Sequence, residues 1–205
     1  MMNPMQSHYL LDTASSDGCC DRTRRTFVKL AVIAGAGVPL HALAAGESDA
    51  ANARPQAGDR FVFAEPGHEG AEITPTDLAV GGPQVQAWPI DPASKTVRSG
   101  SRLNRVLLVR LDAASLDEDT RPHTAEGIVA YSAVCTHQQC FVSAWNAEQQ
   151  ILHCPCHQSD YDPRHNAKVV AGPAPRALPA LPLKIVDGVL TAAGPFLGRV
   201  GARQS

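Results

Sequence analysis

From about residue 60 onward the chain is a succession of short apolar or alternating runs separated by Gly, Pro and polar stretches. Phe61-Val62-Phe63 opens the series. Val85 to Ile90 alternates, with Val85, Ala87 and Pro89 on one face and Gln86, Trp88 and Ile90 on the other, the pattern of a half-buried strand. Val106 to Leu111 and Ile128 to Val134 are nearly continuous apolar runs of strand length, and the second leads directly into Cys135. Val169 to Ala171 is a further short strand. Leu183–Val186 and Val189–Ala192 flank Asp187-Gly188, a pair that favours a two-residue hairpin with type I′ geometry. Residues 65–84 read as loop, and Asp112 to Glu126 as an acidic surface loop with a helical turn near Ala113–Leu116. Gly172-Pro173-Ala174-Pro175 reads as a rigid turn. There is no internal repeat and no long amphipathic helix. The pattern predicts an all-β domain of antiparallel strands, with helix confined to connecting loops.

Composition changes this picture little. A chain of 205 residues holds one domain plus a leader or tail, and 44% apolar residues suffice for a core. Only 19% are charged, the formal net charge is −2, and no basic run invites nucleic acid. The first 44 residues differ in character. Arg24-Arg25 is followed by Phe27, by an apolar stretch from Leu30 to Leu40, and by Ala42-Leu43-Ala44, whose small residues suit a cleavage site. This order resembles a bacterial twin-arginine export signal, which implies a folded protein delivered to the periplasm. The apolar stretch is short for a membrane span. If the segment is retained rather than cleaved, it tethers the protein at the membrane through its N-terminus. Residues 45–60, rich in Ala, Gly, Asp and Asn, read as a flexible linker, which places the folded domain over 61–205.

The chemistry concentrates in Cys135-Thr136-His137 and Cys154-Pro155-Cys156-His157. Each half offers a thiol and an imidazole. Two thiolates and two imidazoles can hold a structural zinc ion, or a [2Fe–2S] cluster with both thiolates on one iron and both imidazoles on the other. Cys140 and Cys156 raise the total to six Cys and His groups, more than one tetrahedral zinc takes. The six fit a cluster plus one disulfide between the two loops, a bond that persists in an oxidising compartment. The histidines His68, His123, His153 and His165 are scattered, and no nucleophile or oxyanion site is visible. A zinc-stabilised binding domain is the alternative outside redox chemistry.

Cys135-Thr136-His137-x-x-Cys140 with Cys154-Pro155-Cys156-His157-x-Ser159 resembles the Rieske [2Fe–2S] iron–sulfur proteins, in their higher-potential branch with a loop disulfide. Gly172-Pro173-Ala174-Pro175 is similar to that family's proline-containing third loop. The resemblance implies an antiparallel β-sandwich with a small cluster-binding subdomain, about 133–176 here, and one [2Fe–2S] cluster. It implies Cys135 and Cys154 as ligands of the buried iron and His137 and His157 as ligands of the outer, redox-active iron. It implies a Cys140–Cys156 disulfide, and hydrogen bonds to the cluster sulfurs from Ser159 and Tyr161. The activity implied is one-electron transfer within a larger oxidoreductase, not catalysis by this chain alone. Its potential would be positive and pH-dependent, within roughly −150 to +300 mV. Protein redox partners follow, a cytochrome or a molybdenum-containing subunit among them.

Three positions depart from the quinol-oxidising members of cytochrome bc-type complexes. Gln138 and Gln139 stand where those proteins carry Leu and Gly, and Gln158 where they carry Gly. A polar tip weakens the reading as a quinol-oxidising subunit. Asp160 is expected to place a negative charge near the cluster. A non-Gly residue after the second histidine, an acidic residue before the aromatic, and the run Ile128 to Ser132 are similar to the arsenite oxidase small subunit, although Tyr161 departs from it.

Overall fold

The computed structural model describes residues 48–68 and 70–202. The twin-arginine segment, with Arg24 and Arg25, lies outside these residues, as do residues 45–47 of the expected linker. Among the described residues no helix is long and apolar enough to cross a membrane.

Among the described residues, ten strands, all paired antiparallel, make up the domain. β1 (Arg60–Phe63), β2 (Val85–Ile90), β3 (Val106–Arg110) and β4 (Ile128–Ser132) form one sheet in that order. β5 (Ala144–Asn146), β6 (Ile151–Cys154), β7 (Ser159–Asp162) and β8 (Lys168–Ala171) form a second. β9 (Leu183–Val186) and β10 (Val189–Ala192) are the hairpin around Asp187-Gly188. Both turn residues have positive φ, +50° and +77°, as a type I′ turn requires.

The apolar runs of β3 and β4 are buried on both faces, and the two-residue period divides them between two cores. Val106, Leu108, Ile128 and Ala130 pack with Phe61, Ile73 and the hairpin residues Leu183 and Leu190. Leu107, Val109, Val129 and Tyr131 turn the other way and pack with Val142, Leu152 and Tyr161. This second core also contains Cys135 and Cys154, so the thiols sit in the packed interior between the two sheets.

Several expectations need adjustment. β4 ends at Ser132, not at Val134. The Ser132 backbone N–H donates to Pro179 O at 2.9 Å, and its side-chain oxygen accepts the Val134 N–H at 3.1 Å, which turns the chain out of the sheet. The loop 112–126 holds two short 3₁₀ turns, Ala113–Ser115 and Arg121–His123, where one turn is expected. The larger correction concerns the linker. From residue 48 it is docked, with a helical turn over 48–52. The Asn104 side-chain amide donates to Ala53 O at 2.8 Å, Arg98 to Ala50 O at 3.3 Å, and the Gly100 N–H to Ala51 O at 3.0 Å. These donors come from about fifty residues downstream, so local composition carries no sign of them. β5, β6 and β7 also have no clear signature in the hydrophobic pattern.

Candidate metal centre

Three loops converge at one end of the core. The first, 133–143, leaves β4 and enters β5. Its turn is closed by the Cys135 N–H donating to Cys140 O at 2.8 Å and the Gln139 N–H donating to Cys135 O at 3.1 Å. The second, 155–158, joins β6 to β7, and Cys154 pairs directly with Ser159 at its base. The alternation of a strand then sorts the side chains: Cys154, Ser159 and Tyr161 point into the core, whereas His153 and Asp160 take the outer face. The third loop follows β8. A Cβ added at Gly172 would lie 2.2 Å from Gln158 O, so only glycine lets this loop approach the second so closely.

A disulfide between Cys140 and Cys156 joins the first two loops, with a Cα–Cα distance of 6.4 Å. Cys135 and Cys154, both buried, are left as free thiols. The His137 and His157 rings meet edge to face, centroids 4.7 Å apart. His137 is partly buried and His157 exposed. Among the described residues no three His, Cys, Asp or Glu side chains gather around a single metal position. The thiols pair with each other and the imidazoles pair with each other.

Burial pushes the Cys154 thiol up to about 11; the backbone N–H of Cys156 and then that of His157 oppose this, and the adjacent Cys135 thiol adds to it. Those two N–H groups aim at the sulfur, a feature of the loop backbone that side-chain identities do not announce. The Tyr161 hydroxyl lies 3.1 Å from Cys135 Sγ and accepts the Thr136 N–H at 3.3 Å. Its pKa is raised by burial first and by Cys135 second. Ser159 Oγ and His137 Nδ1 are buried without a hydrogen-bond partner among the described residues. Such atoms are costly unless something satisfies them. Two free thiols, one inward imidazole nitrogen and one hydroxyl without a partner fit a group with sulfide acceptors and two metal ions.

Asp160 is engaged on the outer face, where it bonds His153 Nδ1 at 2.5 Å. Gln139 and Gln158 occupy backbone positions with φ of +61° and +58°, the left-handed region that glycine fills most easily. Gln158 Nε2 donates to Pro155 O at 3.0 Å, and the Gln139 side chain folds against Gly201. Gln138 remains exposed at the tip. Residues that sequence reasoning passes over also shape the site. The Thr136 hydroxyl donates to Arg176 O at 2.7 Å, and Arg102 donates to Gln139 O at 2.6 Å.

Comparison with known proteins agrees with this arrangement. The Rieske [2Fe-2S] domain model matches residues 92–182. A cytochrome bc1 complex Rieske iron-sulfur subunit of Streptomyces lividans is 38% identical over 135 residues, covering 63% of this chain and 78% of that one. A putative respiratory nitrate reductase subunit Rieske of Haloferax mediterranei is 44% identical over 106 residues, covering 51% of this chain and 47% of that one. A cytochrome bc1 complex Rieske iron-sulfur subunit of Corynebacterium glutamicum is 40% identical over 104 residues, covering 48% of this chain and 26% of that one. The match thus spans about a quarter to a half of the length of the last two relatives. The chain belongs to the Rieske [2Fe–2S] family, whose domain holds one [2Fe–2S] cluster.

Proposed function

We propose that Cys135 and Cys154 bind one iron of the cluster and that His137 and His157 bind the other, so that this chain passes single electrons between protein partners. The observation that carries the reading is the sorting of the cysteines. Cys140 and Cys156 are bridged, while the two buried thiols stay free beside the unpartnered His137 Nδ1 and Ser159 Oγ. When bound, the cluster supplies a one-electron couple whose neutral histidine ligands favour reduction. The chain contributes the surroundings. Tyr161, Ser159 and the N–H groups of Cys156 and His157 set partial positive charge against the sulfurs and favour the reduced, more negative state. The disulfide holds the loops so that the donors keep their positions. Iron and acid-labile sulfide analysis tests the assignment, with two of each expected per chain. Zinc without sulfide would overturn it, as would a full cluster in the Cys135→Ser/Cys154→Ser double variant.

The chain works in this reading as a redox subunit of a periplasmic or membrane-associated oxidoreductase, exported folded through Arg24-Arg25. The Cys140–Cys156 disulfide supports an oxidising compartment. Retention in the cytoplasm of the Arg24→Lys/Arg25→Lys variant, against periplasmic recovery of the native chain, is the expected result of fractionation. A second reading, a subunit of a cytochrome bc-type complex, draws on the likeness to the cytochrome bc1 complex Rieske subunits of Streptomyces and Corynebacterium. The polar Gln138 and the inward-folded Gln139 favour the first. Co-purification separates them: a cytochrome b partner favours the second reading, a molybdenum-containing partner an arsenite-oxidase-like small subunit, and neither leaves a free electron carrier.

A further inference from the structure

The loops around the metal centre contain no acid, and Asp160, on β7 between Ser159 and Tyr161, turns to the outer face and bonds His153. No Asp or Glu occurs in residues 98–105, 133–143, 154–158, 172–182 or 193–202, although the chain has 20 acidic residues. Arginines converge there on the first loop. Arg102 holds the Gln139 carbonyl at 2.6 Å and lies 4.7 Å from the Phe141 ring centroid. The Arg105 guanidinium stacks between Phe141 and Trp88, 4.9 Å and 4.8 Å from their centroids. Arg176, whose carbonyl accepts the Thr136 hydroxyl, donates to the carbonyls of Arg199 and Gly201 and so straps the tail segment beside the loop. Arg54 and Arg199 line, with Leu103, Gln139 and Phe196, a cleft of about 360 Å³.

Arg54, Arg102 and Arg199 make no ion pair among the described residues. Their acceptors, where they have them, are neutral carbonyl oxygens, so the positive charge is uncompensated. All three are exposed. A patch of this kind has a field opposite in sign to the formal net charge of −2. Guanidinium groups are suited to forked pairing with carboxylates.

We propose that this arginine collar is the docking surface for the acidic face of a protein redox partner, and that it brings the partner to the His137 loop. The inference rests on the electron-transfer reading above; the collar supplies the orientation and the association rate.

Two small oxidants probe the local charge in the reduced holoprotein. Each accepts one electron and no atom is transferred: anionic hexacyanoferrate(III) becomes hexacyanoferrate(II), and cationic tris(phenanthroline)cobalt(III) becomes its cobalt(II) form. Oxidation by the anion should slow at least about fivefold between roughly 10 mM and 200 mM salt, and oxidation by the cation should not slow. The Arg54→Gln/Arg199→Gln variant should lose most of that salt dependence, and the Arg54→Lys/Arg199→Lys variant should keep it. A rate with the anion that rises with salt, as the net charge alone dictates, overturns the proposal. Retention on a sulfonate cation exchanger at pH 7.5 gives a readout independent of the cluster. The native chain should elute at higher salt than the Gln variant, and identical elution counts against the collar even if the cluster is present and active. Sedimentation with phosphatidylglycerol vesicles that depends on the same two arginines would assign the surface to lipid and overturn the protein-partner proposal.

Discussion

Tyr161 shows how one side chain acts in this site. It is fully buried, paired across the sheet with Leu152, and its hydroxyl is 3.1 Å from Cys135 Sγ. The Thr136 N–H donates to that oxygen, and a Cys135 thiolate offers the phenolic hydrogen a charged acceptor, against the neutral Thr136 Oγ1 at 3.4 Å. A donor to a sulfur that becomes more negative on reduction stabilises the reduced state more than the oxidised one. Tyr161→Phe keeps the ring packing and removes only the donor. A charge-assisted hydrogen bond of ~1.5 kcal/mol corresponds to a fall of about 60 mV for a one-electron couple. Voltammetry of the variant checks this, and an unchanged potential would mean the hydroxyl serves Thr136 alone. The Cys and His spacing that marks this candidate site is legible in the sequence because thiols and imidazoles at short spacing are chemical signals that need no fold. The backbone contributions are not. Gln139 and Gln158 hold left-handed conformations that their identity does not suggest, and the N–H groups aimed at Cys154 belong to a loop shape set by the disulfide and by Gly172.

At the level of elements, β5 to β8 form a sheet whose strands are weak individually. Ser159-Asp160-Tyr161-Asp162 has no apolar face to read, and β5 is three residues long. By contrast β2, β3, β4 and the β9–β10 hairpin follow from alternation, apolar runs and Asp-Gly, because they bury enough surface to decide their own fate. The Cys140–Cys156 bond compensates by tying the loop before β5 to the loop after β6. It closes a loop with a sequence separation of 16, worth roughly 3 kcal/mol in chain-entropy terms. The Cys140→Ser/Cys156→Ser variant should lose about that much in urea denaturation, and its cluster absorbance should bleach sooner than that of the native protein under the same conditions. Equal denaturation midpoints would show that the sheet holds without the bond. The turn from β7 to β8 relies on Asp162. Burial alone would raise its pKa, but the Arg164 guanidinium and N–H and the His165 ring bond both carboxylate oxygens and hold it below the ordinary carboxylate range. A carboxylate depressed in the folded state stabilises the fold above its unfolded pKa of about 3.9, and that contribution is lost as pH falls through the lower folded value. Native stability should therefore drop below about pH 4. Asp162→Asn should be less stable at neutral pH and show a shallower acid limb; parallel acid limbs would assign the loss to other carboxylates.

Over the whole molecule, closure of the N-terminal arm depends on a buried ion pair. Arg98 follows β2 and Asp59 precedes β1, and their side chains are only 7% and 3% exposed. The bonds are 2.7 Å and 2.9 Å, two parallel contacts that satisfy both carboxylate oxygens. Asp59 also accepts the Gln56 N–H at 2.8 Å, and its backbone carbonyl accepts the Ala192 N–H at 2.8 Å. One residue thus links the arm, the first sheet and the last strand of the hairpin, while Arg98 carries the link on to Ala50. This explains why the stretch that composition marks as a linker is folded from residue 48: its anchors are Arg98 and Asn104, distant in sequence and themselves unremarkable until the sheet forms. Removing either partner leaves the other buried without compensation, so Arg98→Ala or Asp59→Ala should each cost about 3–5 kcal/mol. Replacing both by apolar residues of similar size, Asp59→Leu with Arg98→Met, should cost much less than the sum, because no uncompensated charge remains. Denaturation of the native protein, Asp59→Ala, Arg98→Ala and the Asp59→Ala/Arg98→Ala double variant, followed by circular dichroism and by cluster absorbance, measures the coupling. A coupling below ~0.5 kcal/mol would mean that the arm is held by backbone hydrogen bonds and that the pair is incidental. Loss of the circular dichroism signal and the absorbance at one midpoint is expected, because Asn104, which holds the arm, is separated from Arg102, which holds the Gln139 carbonyl of the cluster loop, only by Leu103.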